Sequence, residues 1–299
     1  MFSYGRAADG ISDAAFADLL RAVLHQGDVG CGATIELLGM RLHQRSASPE
    51  LVAVTKEVLL LAEAAGEGNP MSGHHFEELV KKAIHADPHD GEFIRTLAAK
   101  LVASSERFGL GRRHVPAVLA DLLRARVDVV WPLLRAELSS GEWARAARVT
   151  TALGKWFHSG PDLVGLVGHD ELLAWASTSS ETAYWAAKLV EPLRNESQES
   201  DPFPSWNPFV VEILRRHGAD KDVRSVISAK ISSGAWSGSA VPRLERHRKA
   251  FHELLRIAVP EVVEWATKAV AYLGLLTPST AHHPRFRGQA PHGGPNGSW

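Results

Sequence analysis

Apolar residues recur every three to four positions along almost the whole chain, while the alternating Val/Ile/Thr/Tyr runs that mark strands are nearly missing. That pattern predicts an all-α protein. A first helix is expected after Ser12, with Phe16, Leu19, Leu20, Val23 and Leu24 on one face and an end near Gly27. A second is expected from about Ala33 to His43. In "SPELVAVTKEVLLLAEAAG", Ser48 supplies a cap, Pro49 suits the first turn and Gly66 the stop. The segments "SGHHFEELVKKAIHA", "GEFIRTLAAKLVASSERF", "VPAVLADLLRARVDVVWPLLRAEL", "SGEWARAARVTTALGKWFHSG", "PDLVGLVGHDELLAWAST" and "SSETAYWAAKLVEPLRN" continue the periodicity. Short links between them make successive helices antiparallel neighbours. Pro132 is expected to kink or split its segment.

The one long break, "ESQESDPFPSWNP" from Glu196 to Pro208, reads as an ordered crossing loop or a soft hinge. Beyond it lie "PFVVEILRRHG", "KDVRSVISAKISSG", "AVPRLERHRKAFHELLRI" and "PEVVEWATKAVAYL", which form two helical pairs. Aligning "KDVRS" with "PEVVEW" sets Val223 over Val262, an offset of 39 residues, the period of two-helix solenoid repeats. The expected architecture is a right-handed α-solenoid, a superhelix of antiparallel helical hairpins.

"ADKDVR", with its acidic turn followed by Val-Arg, resembles the opening of a second helix in HEAT-like repeats. "VPEVVEWA" is a looser copy, with Val263 where that pattern has arginine, and "GEFIRTLAAKL" is a third. More broadly, "IELLGMRLH", "LRRHG" and "SSGAWSG" resemble the helical C-terminal portions of large bacterial multidomain proteins, some with suspected roles in phage defence. In those proteins an enzymatic module precedes the helices, so the resemblance implies that this chain corresponds to the non-enzymatic part. The expected organisation is N-terminal repeats over 1–130, tryptophan-containing repeats over 131–195, the acidic loop 196–208, HEAT-like pairs over 209–273 and a disordered tail over 274–299.

The tail follows from composition: after Leu273 the chain is rich in Gly and Pro, has no acid and cannot bury a core. All nine tryptophans lie from Trp131 onward, which separates the two repeat blocks. With 33 Lys+Arg against 34 Asp+Glu the formal charge is −1, so a polyanion would need a local basic patch. A single cysteine, Cys31, excludes an internal disulfide, and the lack of a signal-like N-terminus or an uninterrupted apolar span points to a cytoplasmic, membrane-free protein.

Candidate chemistry is sparse. In "ISSGAWSGSAVPRLERHRK" no lysine follows Gly238, so a phosphate loop is excluded, and Trp236 stands where a nucleophile elbow needs serine. A bend explains it better: Gly234 ends one helix, Ser239 caps the next and Pro242 opens it. That helix, Ala240 to Ala258, is expected to bury Val241, Leu244, Phe251, Leu255 and Ala258, with His247 a packing residue beside the stripe. "HADPHD" offers His85, Asp87, His89 and Asp90 as metal ligands for a hydrolase, although an Asp-Pro turn between helices is also what a repeat junction looks like. "HELLR" from His252 lacks the second histidine of a zincin, "HHFEE" from His74 matches no mechanism, and Cys31 reads as an inert thiol.

No motif calls for a cofactor or a small-molecule substrate. A non-enzymatic scaffold for a protein partner is therefore expected, with Trp143, Trp156, Trp175, Trp185 and Trp206 as anchor candidates that compete with core roles. The alternative is nucleic-acid binding along basic helix faces, as in HEAT-like DNA repair glycosylases, through Arg112, Arg113, Arg243, Arg246 and Lys249.

Overall fold

In the computed structural model the described residues are 10–24, 28–44, 48–61, 70–103, 114–153, 161–194, 201–233 and 240–276. Among them the chain is all-α, and its only extended pairing is an isolated antiparallel bridge between Leu193 and Trp206. The helices pair as successive hairpins: α1 (Asp13–Leu24) with α2 (Asp28–Gln44), α3 (Pro49–Leu61) with α4 (Pro70–Ala86), α5 (Gly91–Ala103) with α6 (Val115–Ala125), and α7 (Val127–Leu138) with α8 (Trp143–Ala152). A short α9 (Leu163–Val167) leads into α10 (His169–Ala176) with α11 (Ser180–Leu189). Then come α12 (Pro208–His217) with α13 (Lys221–Ser232) and α14 (Val241–Leu254) with α15 (Pro260–Leu276).

From α1 to α13 most helices also pack on the matching helix of the next hairpin, in two rows. In the first, α1 meets α3, α3 meets α5 and α5 meets α7. The edge-to-face pair Trp131–Trp175 and the ion pair Arg135–Glu171 carry the row from α7 to α10, which meets α12. In the second row α2, α4, α6, α8, α11 and α13 follow one another. One cluster of buried hydrophobic residues runs from Phe16 to Leu273 between the rows.

Several polar contacts between successive hairpins have similar sequence separations. Arg21 reaches Glu57, 36 residues on; His114 reaches back 37 to Glu77; Arg216 reaches back 39 to Ser177; and Trp265 reaches back 37 to Ser228. Spacings of this length are what two helices and their turns require, and the largest of these four equals the offset of 39 read from the sequence.

The helix starts follow local chemistry. Ser12 Oγ accepts from Ala15 N and Ser48 Oγ from Leu51 N, each at 3.3 Å. Asp90, Asn207 and Asp220 cap α5, α12 and α13 in the same way, and Ser179 forms a reciprocal capping box with Thr182.

Several expectations need correction. α2 begins at Asp28, five residues before Ala33, and α15 continues to Leu276, past the expected end of order at Leu273. The segment containing Pro132 does break, but at Arg126 (φ −148°, ψ 70°), whose guanidinium is held by both Asp128 oxygens at 2.8 and 2.9 Å. Pro132 stays inside α7 on its exposed side. "PDLVGLVGHDELLAWAST" forms two helices instead of one because Gly168 adopts φ +98°, a conformation closed to most other residues. α14 buries Phe251 as expected and Leu244 packs partly buried on the core, as does Leu255 just past its end, but Val241 and Ala258 are exposed, and His247, Ala250, Glu253 and Leu254 turn inward instead. Gly66, Gly27, the bend 234–239 and the tail 277–299 lie outside the described residues.

The crossing loop is tied down in its described part, 201–207. Arg194 N donates to Ser205 O and Asn207 N to Pro192 O, and Arg194 pairs with Asp201 at 2.8 Å. Trp206 is fully buried, donates to Ala250 O across 2.7 Å and meets Phe251 edge to face, and Phe251 meets Trp265 likewise. Buried Glu253 accepts from both N and Oγ of Ser205. The loop thus plugs the joint between α12 and the last hairpin.

Candidate functional site

The residues singled out by sequence separate into structural and accessible groups. At the metal candidate, Asp87 and Asp90 both turn to Lys56 Nζ, at 2.9 and 2.6 Å, and His85 and His89 are exposed. Among the described residues no group of three or more His, Cys, Asp or Glu is arranged to hold a metal ion. Arg243 is turned onto the last carbonyls of α13, Ile231 O at 3.2 Å foremost, while Arg246 and Lys249 are exposed. Arg112, Arg113 and Trp156 lie outside the described residues, as does the side chain of Cys31.

Of the remaining tryptophans, Trp206 holds the loop and Trp175 is buried, donating to Ser139 Oγ at 2.8 Å. Trp185 is buried as well, with no acceptor for its indole N–H among the described residues. Trp143 is different: it is 63% exposed. Gly141, at φ +72°, turns the chain sharply out of α7, so α8 starts with this indole facing solvent.

Trp143 stands at the rim of an open groove of about 890 Å³ that crosses three successive helices of the second row, α8, α11 and α13. Tyr184, Trp185 and Lys188 of α11 line its floor, the two rings edge to face with centroids 5.0 Å apart. Lys188 Nζ lies over both, 5.2 Å from the Trp185 centroid and 5.9 Å from that of Tyr184. Glu181, Asp220 and Asp222 stand at the helix starts along the same opening, and Val226, Ala229 and Lys230 form the α13 wall.

The charges in the groove are already arranged. Lys230 is buried and donates to Lys188 O and Val190 O at 3.0 and 2.8 Å, with Glu191 Oε1 at 3.4 Å. Burial pushes the Lys230 ammonium below the usual lysine range, against the pull of Glu191, and burial lowers Lys188 too. Tyr184 is raised, first by burial and then by the nearby charge of Asp222. The groove presents an exposed indole, a half-buried phenol and carboxylates around the half-buried Lys188 ammonium.

Sequence reasoning named Trp143 and Trp185 but missed Tyr184, Lys188, Glu181 and Asp222. The available signal was the even sequence spacing of Trp143, Tyr184 and Ser225, which stand on neighbouring helices around the groove. No family model matches the chain, and neither a curated protein nor a solved structure matches it.

Proposed function

We propose that the chain is a non-enzymatic helical-repeat scaffold, a HEAT-like α-solenoid that binds a protein partner across α8, α11 and α13. The observation that carries this reading is Trp143, an indole left 63% exposed on the rim of a groove floored by two further aromatic rings. Aromatic anchors at a concave surface are where interface energy concentrates. The passage of contacts from α1 to α13 along both rows supports the solenoid, and the polar contacts that span 36 to 42 residues support its repeat length.

A phage-displayed random peptide library tests the reading. It is selected on the whole protein and counter-selected on Trp143→Ala/Ala229→Gln, in which an exposed anchor is lost and an exposed wall position is filled. Peptides that bind the wild type and lose the double variant support the scaffold. A library that yields none, with both proteins equally helical by circular dichroism, overturns it.

A second reading is favoured by the outer face of α14, where Arg246, Arg248 and Lys249 are exposed beside His252 and Arg256. Nucleic acid would bind this basic helix through its phosphates. Titration with duplex and single-stranded DNA at two salt concentrations decides it: binding that weakens steeply with salt supports it, and no binding at low salt removes it.

A further inference from the structure

The open charges of the groove are uneven. Glu181 and Asp222 are exposed and Asp220 is half-buried, all three lining the end where α11 and α13 begin. Lys221, between the two aspartates in sequence, does not line the groove. The two lysines that do are committed inward, Lys230 to carbonyl oxygens and Lys188 to the faces of Trp185 and Tyr184. Helix dipoles at the two starts offset about half a charge each, which leaves the mouth acidic.

The aromatic groups sit beside those acids. Tyr184 follows Glu181 by three residues, so both occupy one face of α11, and the Asp222 charge acts on the Tyr184 phenol. Lys188 lies seven residues from Glu181, about 10 Å along the helix, roughly a screening length away at ordinary salt. Lys188 thus supplies a cation to the Trp185 and Tyr184 rings, while the exposed Trp143 indole lines the same groove as the carboxylates and has no cation over it among the described residues.

We propose that the groove receives an arginine or lysine side chain from an extended segment of the partner protein, its charge over the Trp143 indole and facing Glu181 and Asp222. The inference rests on the scaffold reading and adds the partner's chemistry. A guanidinium fits best, because its plane stacks on an indole while its edge donates to carboxylates. The neighbouring residues of the segment lie along the apolar wall of Val226 and Ala229.

The test uses the whole protein and groove-dependent peptides from the random library, resynthesised with fluorescein and measured by fluorescence anisotropy. Expected is a basic residue at one fixed position. Replacing it by alanine, making Trp143→Ala, or making Glu181→Gln with Asp222→Asn should each weaken binding about tenfold. Affinity should also fall as salt rises. Groove-dependent peptides anchored by an apolar or acidic residue would overturn the inference and leave the scaffold standing. Basic peptides indifferent to Trp143→Ala would overturn it too, and a library without groove-dependent binders would remove both. Circular dichroism of the neutral pair, which keeps the size of both side chains, separates loss of binding from loss of fold.

Discussion

Lys230 Nζ donates to Val190 O across 2.8 Å, so a buried ammonium of α13 closes the end of α11. The contact recurs along the chain. Lys82 of α4 donates to Leu42 O of α2 at 2.8 Å, and Lys100 of α5 to Leu60 O of α3, both over a separation of 40 residues. Each helix end leaves carbonyls without intrahelical donors and carries the negative end of its dipole. A lysine 40 residues later answers both, which ties hairpin to hairpin.

Lys230→Met keeps the length of the side chain and removes its donor, stranding Lys188 O and Val190 O in the interior. The loss expected is about 2 kcal/mol. At the more exposed Lys82, water replaces the ammonium and the same change should cost less than about 1 kcal/mol. Urea midpoints of the two variants measure the contrast, and equal losses would show that burial does not set the strength of these contacts.

Trp206 and Trp185 are both buried, yet one indole N–H is satisfied by Ala250 O and the other has no acceptor among the described residues. Trp206→Phe loses ring volume and a hydrogen bond, whereas Trp185→Phe loses volume but also removes a stranded donor, worth about 1–3 kcal/mol when buried. Trp185→Phe should therefore be the milder substitution by about 1–2 kcal/mol. Thermal or urea unfolding of the pair checks it, and the reverse order would mean that the Trp206 bond contributes nothing net.

The helices were legible because amphipathic spacing and caps are local. Ser12, Ser48 and the Ser179–Thr182 box stand where the sequence puts helix starts. The break at Arg126 was not, since a salt bridge with Asp128 and a contact to His89 O, 37 residues earlier, hold it there, and Pro132 advertises a break it does not make. The inward face of α14 was misread for a similar reason: Glu253 is buried because the backbone and hydroxyl of Ser205, 48 residues away, receive it. The groove was the least legible feature. Trp143, Tyr184 and Asp222 lie on three different hairpins, and nothing in any one segment distinguishes the exposed Trp143 from the buried Trp175.

At the junction before α5, Lys56 bridges Asp87 and Asp90. Its hydrogen bonds, with that from Phe93 N next, hold the Asp90 carboxyl below its ordinary value. A depressed folded value stabilises the fold above the unfolded carboxylate range and is lost as pH falls through the folded one. Lys56→Met should thus cost about 1 kcal/mol at pH 7, after allowance for partial exposure, and less at pH 3. Because the ammonium already occupies the space between the carboxylates, added Zn²⁺ should leave the wild-type melting temperature unchanged. A melting temperature that climbs with Zn²⁺ concentration would return the histidines and aspartates of this turn to consideration as ligands.

His247 faces the interior from α14, and burial first, then the charges of Arg243 and Arg246, push it down to about 4. The unfolded chain titrates near 6.5, so between about pH 6.5 and 4 it binds a proton that the folded protein refuses. Stability therefore declines as pH drops through that window and is fully present above it. The size of the effect is about 2–3 kcal/mol for a shift of this order. Replacing His247 by Gln, which stays neutral, should flatten the dependence: the two proteins would differ most in the slope of urea midpoint between pH 6.5 and 4.5, and least above pH 7.5. Parallel slopes would mean that the imidazole reaches water in the native state, against its burial on the inner side of α14.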